Sequence, residues 1–110
     1  MTVNKELMKG STVILILSLL DRKPMYGYEI AKEIERLSGG LFSLKEGTLY
    51  PILHGLESDG DVDPYWDEAD GRKRKYYAIT ERGRRKLGEK KREWQLFRTS
   101  VDRVLGESGV

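Results

Sequence analysis

Apolar residues recur along the chain at two spacings, one typical of helices and one typical of strands. Residues 4–20 begin polar and then become apolar nearly all round, which predicts a first helix that is buried on more than one side. In residues 27–37, Ile30, Ile34 and Leu37 follow one another at i, i+4 and i+7. This spacing predicts a second helix with one buried face.

A third helix is predicted over residues 46–59, where an apolar stripe is formed by Leu49, Ile52, Leu53 and Leu56. The opposite face carries Lys45, Thr48, Tyr50, Pro51 and His54. Ser43 followed by Glu46 has the spacing of a capping box. Pro51 removes the backbone hydrogen bond to Gly47, which fits a start one or two residues later, so both starts are open.

Two strands are predicted next, over residues 62–66 and 74–79, because both runs are rich in aromatic and β-branched residues. Pro64 cannot donate to a neighbouring strand, which favours an edge position for the first of the two. Residues 67–71 are polar and read as a loop, so the pair predicts a hairpin.

A long last helix is predicted over residues 81–105, with Thr80 as its N-cap. It is mostly polar, and its few apolar residues follow heptad spacing, which is typical of a helix packed against a partner helix. We therefore expect a dimer interface formed by Leu15 of the first helix and by Leu87, Trp94, Phe97, Val101 and Val104.

Charge is segregated along the chain, although the formal net charge is only +2. Residues 57–70 contain seven acids and no Lys or Arg, whereas residues 72–92 contain eleven cations and two acids. Clustered cations are the electrostatic footprint of polyanion binding. The cations of residues 86–92 are better explained as a solvated helical face. Those of residues 72–75 fall at the predicted hairpin turn, where they are well placed to meet phosphate.

Several classes of function are disfavoured by composition. The 110 residues include no cysteine and one histidine, so thiolate chemistry is excluded and a metal site would need carboxylates. Scattered hydroxyls offer no convergent nucleophile, base and oxyanion groups, so we expect neither an enzyme nor a cofactor. The chain has no apolar run of about 20 residues and no signal-peptide pattern at its start, so we expect a cytoplasmic protein that does not enter membranes.

Three helices, a hairpin and a trailing helix are the order expected of a winged helix-turn-helix. Three motifs then carry a resemblance, namely Met-Tyr-Gly-Tyr-Glu-Ile at 25–30, Gly-Thr-Leu-Tyr-Pro-Ile-Leu at 47–53 and Gly-Arg-Lys-Arg-Lys-Tyr-Tyr at 71–77. In this order they strongly resemble the PadR family of bacterial transcriptional regulators, and the resemblance covers residues 7–105. Lys45 and Glu46 depart from the family, which more often has Ser-Pro there. The resemblance implies a mainly α (α+β) fold, with a DNA-binding domain at residues 1–80 and a dimerisation helix at residues 81–110.

The resemblance also implies a function. Members of the family act as homodimers on palindromic operator DNA, mostly as repressors, and some release DNA on binding small aromatic compounds. Carried onto this chain, the DNA-binding residues would be Tyr26, Lys45, Thr48, Tyr50, His54, Arg72, Lys73, Arg74 and Lys75. A small aromatic effector would contact Trp94, Met8 and Ser11, although the simplest role for Trp94 is that of a hydrophobic anchor of the dimer interface. The competing class is a winged-helix module that binds proteins and not DNA.

Overall fold

The computed structural model describes residues 10–107. Its elements, in chain order, are α1 (Thr12–Arg22), β1 (Met25–Tyr26), α2 (Gly27–Leu37), α3 (Glu46–Ser58), β2 (Val62–Ala69), β3 (Arg72–Ile79) and α4 (Glu81–Leu105). The three strands form one antiparallel sheet in the order β1-β3-β2. Four helices around this small sheet are a winged helix-turn-helix, which confirms the fold class predicted from the sequence.

The core lies between the first three helices and one face of the sheet. Ile16 of α1, Ile30 of α2, Leu53 of α3 and Tyr77 of β3 are all at most 1% exposed. Full burial of such a side chain contributes about 1.5–3 kcal/mol to folding, so this small cluster holds the helices on the sheet. The predicted stripe of α3 is confirmed, since Leu49, Leu53 and Leu56 are buried and Ile52 packs against them. Leu37 departs from its predicted buried face, because it is the last residue of α2 and is 49% exposed.

The structure defines two helix boundaries that the sequence left approximate or open. Within the described residues α1 starts at Thr12 and continues to Arg22, two residues further than predicted, while the predicted start at residue 4 lies outside the described residues. α3 begins at Glu46, with Lys45 in the N-cap position and no side-chain cap. The capping box from Ser43 is therefore wrong, because it needs the serine immediately before the helix.

The β2–β3 hairpin, which we call the wing, is longer than predicted. Asp70 and Gly71 alone connect the strands, and both have positive φ, at 53° and 74°. This is the backbone of a two-residue type I′ turn, for which Asp-Gly is a favoured sequence. The predicted loop over residues 67–71 is wrong, and the four cations lie along β3, not at the turn. β2 pairs only with β3 in the described sheet, which confirms the edge position indicated by Pro64.

The start of α4 is fastened to the turn between α3 and β2. As predicted, Thr80 caps the helix, because its Oγ1 accepts a hydrogen bond from the Gly83 N–H at 3.0 Å. The same hydroxyl donates to the Gly60 carbonyl oxygen at 2.7 Å, and the Thr80 N–H donates to the Asp61 carbonyl oxygen at 3.1 Å. A Cβ at Gly83 would collide with that Asp61 carbonyl oxygen, so glycine is required for the close approach.

The Asp61 side chain adds a buried ion pair to this junction. Its carboxylate is 0% exposed and receives the Lys86 Nζ at 2.5 Å, with the Arg82 Nε at 3.6 Å from the other oxygen. The hydrogen bond to Asp61 is the main cause that raises the pKa of Lys86 above its ordinary value. A second ion pair, from Arg84 to Asp21 at 3.2 Å, ties α4 to the end of α1.

The tight junction predicts opposite effects for two glycines of α4. Gly83→Ala should destabilise the protein by about 1–3 kcal/mol, because its Cβ meets backbone that cannot easily move. Gly88→Ala is the matched control, since its Cβ would meet only the flexible end of Arg92 at 3.6 Å, and it should stabilise by about 0.5–1 kcal/mol. Urea unfolding of the two variants measures both changes. Equal effects of the two substitutions would contradict the close contact.

Candidate nucleic-acid interface

The outer face of α3 presents the polar residues that the sequence placed there. Lys45, Thr48, Pro51 and His54 are exposed, and Tyr50 is half-buried. They lie opposite the buried leucines, so helical spacing brings them onto one accessible surface. Lys45 precedes the first turn, where unpaired backbone N–H groups and the helix dipole attract anions.

Tyr50 is held in place by Gly27 at the start of α2. A Cβ at Gly27 would stand 2.5 Å from the Tyr50 hydroxyl oxygen, so only glycine lets the ring lie there. The Tyr50 ring is also 6.3 Å from the His54 ring, between centroids. The role of Gly27 was missed by the sequence analysis, because nothing in the sequence shows that these two positions meet.

The four wing cations point in alternate directions, because successive side chains of a strand face opposite sides of the sheet. Arg72 and Lys73 are exposed. The Arg74 guanidinium lies 4.3 Å from the centre of the Tyr26 ring, in a cation–π contact. The Lys75 Nζ lies 3.2 Å from a carboxylate oxygen of Glu57 on α3, and this contact is the main cause that raises the pKa of Lys75. Two of the four cations therefore have partners within the chain.

An aromatic row crosses the sheet on the side that carries Arg74. Tyr76 of β3 lies between Tyr26 of β1 and Tyr65 of β2, with ring centroids 5.5 Å and 5.7 Å away. Desolvation is the main cause that raises the pKa of Tyr76. Tyr26 is thus half-buried in this row.

A groove of about 610 Å³ runs between α3 and the wing. Tyr50 and His54 line it from the helix, Trp66 and Lys73 line it from the wing, and the ring of Tyr77 adjoins both. The groove combines an exposed cation, a histidine and exposed aromatic surface, which is the chemistry that binds a sugar-phosphate chain. The sequence analysis predicted Trp66 only as a strand residue. The feature of the sequence that indicates its exposure is the polar character of the residues that follow it.

The residues predicted for the dimer interface fall into two groups. Leu87 is 3% exposed and belongs to the core of its own chain, so its assignment to the interface is wrong. Leu15 is half-buried against the same core. Every residue from 91 to 101 is exposed. The large apolar side chains left exposed along this half of α4 are the four predicted ones, Trp94, Phe97, Val101 and Val104, together with Leu96 and Leu105.

The structure describes two of the three residues predicted to contact an effector, Trp94 and Ser11. Trp94 is 44% exposed and its ring stacks on Phe97, with centroids 6.0 Å apart. Ser11 is half-buried and immediately precedes α1. Met8 lies outside the described residues. Over residues 10–107, no three His, Cys, Asp or Glu side chains are grouped so as to hold a metal ion, and no helix is long and apolar enough to cross a membrane.

Comparisons with known proteins agree with this arrangement. The model of the transcriptional regulator PadR-like family matches residues 16–89. A protein of Lysinibacillus sphaericus is 38% identical over 101 residues, which cover 91% of this chain and 93% of that protein.

Solved structures extend the similarity to three dimensions. A transcriptional regulator from Clostridium thermocellum superposes with a TM-score of 0.86 at 33% identity, covering 93% of this chain and 97% of that one. A PadR family regulator from Eggerthella lenta gives a TM-score of 0.80 at 36% identity, covering 91% and 86%. The chain therefore belongs to the PadR-like family of transcriptional regulators, which are DNA-binding proteins and not enzymes.

Proposed function

We propose that this regulator is a cytoplasmic homodimer that represses transcription by binding a palindromic operator through α3 and the wing. The observation that carries the proposal is the groove between them, where the exposed polar face of α3 stands beside exposed cations. Burial of the leucine stripe fixes which face of α3 is presented, so the polar face is the one that can enter a major groove.

Each exposed residue has a distinct role in this proposal. Lys45 neutralises a phosphate at the start of α3, where the helix dipole adds to the attraction. Thr48 and His54 are short enough to contact base edges, and the Tyr50 hydroxyl donates to a phosphate. Arg72 and Lys73 of the wing bind adjacent phosphates.

Uncovered apolar surface on α4 supports the homodimer. Phe97 is 61% exposed and Val104 is 88% exposed, on a helix whose first half packs on its own core. Such a row is costly to leave in water and is typical of an interface. Two copies related by a two-fold axis would cover it and would set two α3 helices about 34–36 Å apart, one turn of DNA.

Trp94 supports a further part of the proposal, the aromatic effector. Its half-exposed ring offers a flat surface on which a planar aromatic compound can stack. Lys91 and Arg98 are exposed one turn away on either side and would favour an anionic or electron-rich ligand. In the proposed dimer a ligand there would change the angle between the subunits and thereby the spacing of the α3 helices.

The first prediction of this proposal concerns DNA affinity and its dependence on salt concentration. Neutralising Arg72 and Lys73 together should weaken binding to specific and random duplexes alike. It should also reduce the slope of log K against log salt by about 0.9 for each phosphate that the variant no longer neutralises. Lys75→Met is the matched control in the same strand, and it should change the slope less, because Glu57 already pairs with Lys75. A slope that does not change in the Arg72 and Lys73 variant would contradict the role of the wing.

The second prediction concerns assembly. Phe97→Ala should weaken the dimer by about 3–5 kcal/mol if a partner buries the ring fully. Sedimentation over a concentration series measures the dissociation, and operator affinity should fall with it. Tyr28→Ala removes another ring that is 61% exposed, but on α2, and should leave the dimer intact. A wild-type monomer at micromolar concentration would refute the homodimer.

The third prediction concerns the effector. Planar aromatic compounds should quench tryptophan fluorescence and lower operator affinity by the same factor by which DNA lowers their own affinity. The quench should persist in Trp66→Phe and disappear in Trp94→Phe, since these are the two tryptophans of the chain. Binding that leaves DNA affinity unchanged would reduce Trp94 to an anchor of the interface.

A further inference from the structure

Trp66 stands out because its indole is 67% exposed on the wing. Strand alternation places it on the same side of β2 as Val62, which is 1% exposed, and Pro64, which is half-buried. Burial therefore decreases along this side from the core towards the turn, and Trp66 extends past the end of the packed region. Single exposed apolar side chains are common on protein surfaces, so it is the position of Trp66 in the groove beside α3 that points to a role in binding.

The surroundings of Trp66 indicate the chemistry of the partner. Trp66 lines the groove of about 610 Å³ together with His54 of α3 and with Lys73, whose side chain is exposed. In the hairpin register Trp66 stands opposite Lys75, and Lys75 is neutralised by Glu57. A ligand in the groove therefore meets positive charge at Arg72 and Lys73 and an uncharged aromatic surface at Trp66.

We propose that Trp66 is a DNA-contacting residue, whose indole packs against deoxyribose and an exposed base edge beside the segment that α3 occupies. Nucleic acid is the partner that presents phosphate next to apolar sugar and flat base surfaces at this scale. Aromatic side chains among cations are the usual means of binding both together. The inference rests on the proposed DNA-binding function and adds to it a contact that carries no charge.

The absence of charge gives the contact a distinct signature. Removing a lysine that binds phosphate lowers both the affinity and the salt dependence of binding, because fewer counterions are released. Removing an aromatic side chain that binds sugar and base lowers the affinity and leaves the salt dependence in place. The two kinds of variant can therefore be told apart by one titration series.

The experiment uses a duplex that the wild-type protein enriches from a random pool. Trp66→Ala should lower affinity for this duplex roughly 10- to 100-fold, as expected for the loss of one buried aromatic side chain, with the salt slope unchanged. Trp66→Phe should retain much of the affinity. Lys73→Met is the charged control on the neighbouring strand and should reduce the slope by about 0.9. Circular dichroism and sedimentation establish that each variant keeps its fold and its oligomeric state.

Fluorescence provides a second measurement that does not depend on a reduced affinity. In Trp94→Phe, Trp66 is the one remaining tryptophan, and its emission should be quenched as the duplex is added and level off at stoichiometric binding. In Trp66→Phe, the emission of Trp94 should not follow the same titration.

The outcomes separate the inference from the function beneath it. One outcome is that the wild type and Trp66→Ala bind the duplex equally well, and that the emission of Trp66 in the Trp94→Phe variant does not change when the duplex is added. Trp66 then does not contact DNA, while the proposed function stands. If Trp66→Ala instead alters the oligomeric state, the indole belongs to a protein interface and the inference is overturned. If the wild type enriches no duplex from the pool, both the inference and the proposed function fail.

Discussion

The attachment of α4 is constrained by one buried carboxylate, that of Asp61, where α3, β2 and α4 meet. An isolated buried charge costs several kcal/mol, so it persists only because Lys86 supplies the opposite charge and Arg82 lies close to its second oxygen. The backbone of Asp61 accepts the Thr80 N–H, and the absence of a side chain at Gly83 brings α4 against it. Removing Lys86 alone would leave a charge without its main partner, which is more harmful than removing the pair.

This junction has a consequence for function, because it joins the end of α3 directly to the start of the helix that we propose for dimerisation. Arg84 and Asp21 add a second tie, from α4 to α1. Together with the packing of Leu87 in the core, these contacts orient the first half of α4 relative to α3 within one subunit. In the proposed dimer, a change in the crossing angle between the two α4 helices would therefore move each α3 helix together with its own α4 helix. An effector at Trp94 could thus act on DNA binding without altering the fold of either subunit.

Sequence periodicity predicted the parts of this fold that depend on local spacing. It placed α2, α3 and α4 and the buried stripe of α3, and Thr80 identified the start of α4, because a cap is set by neighbours three residues away. It failed where tertiary packing decides. Heptad spacing grouped Leu87 with Trp94, yet a helix of 25 residues passes from the core into solvent, so the two positions have different surroundings. The pairing of Lys75 with Glu57 and the contact of Tyr50 with Gly27 join separate elements and leave no local sign. The turn was wrongly predicted for a different reason. Asp70-Gly71 is a favoured sequence for a two-residue hairpin turn, but it was predicted as part of a longer polar loop over residues 67–71.

The wing is less basic than its four cations suggest. Residues 62–79 contain four acids and four cations, so the formal charge of the hairpin is zero. Asp67 stands opposite Arg74 and Glu68 stands opposite Lys73, so the potential around the cations is reduced by their cross-strand neighbours. A wing of this kind would attract random DNA less strongly than a hairpin with cations alone, because non-specific binding depends almost entirely on net phosphate neutralisation. Affinity for a particular site must then come from groups that read shape and base edges, which are the exposed face of α3 and, in our inference, the indole of Trp66. The same acids that weaken the wing as a general polyanion binder would therefore widen the difference between the operator and other DNA.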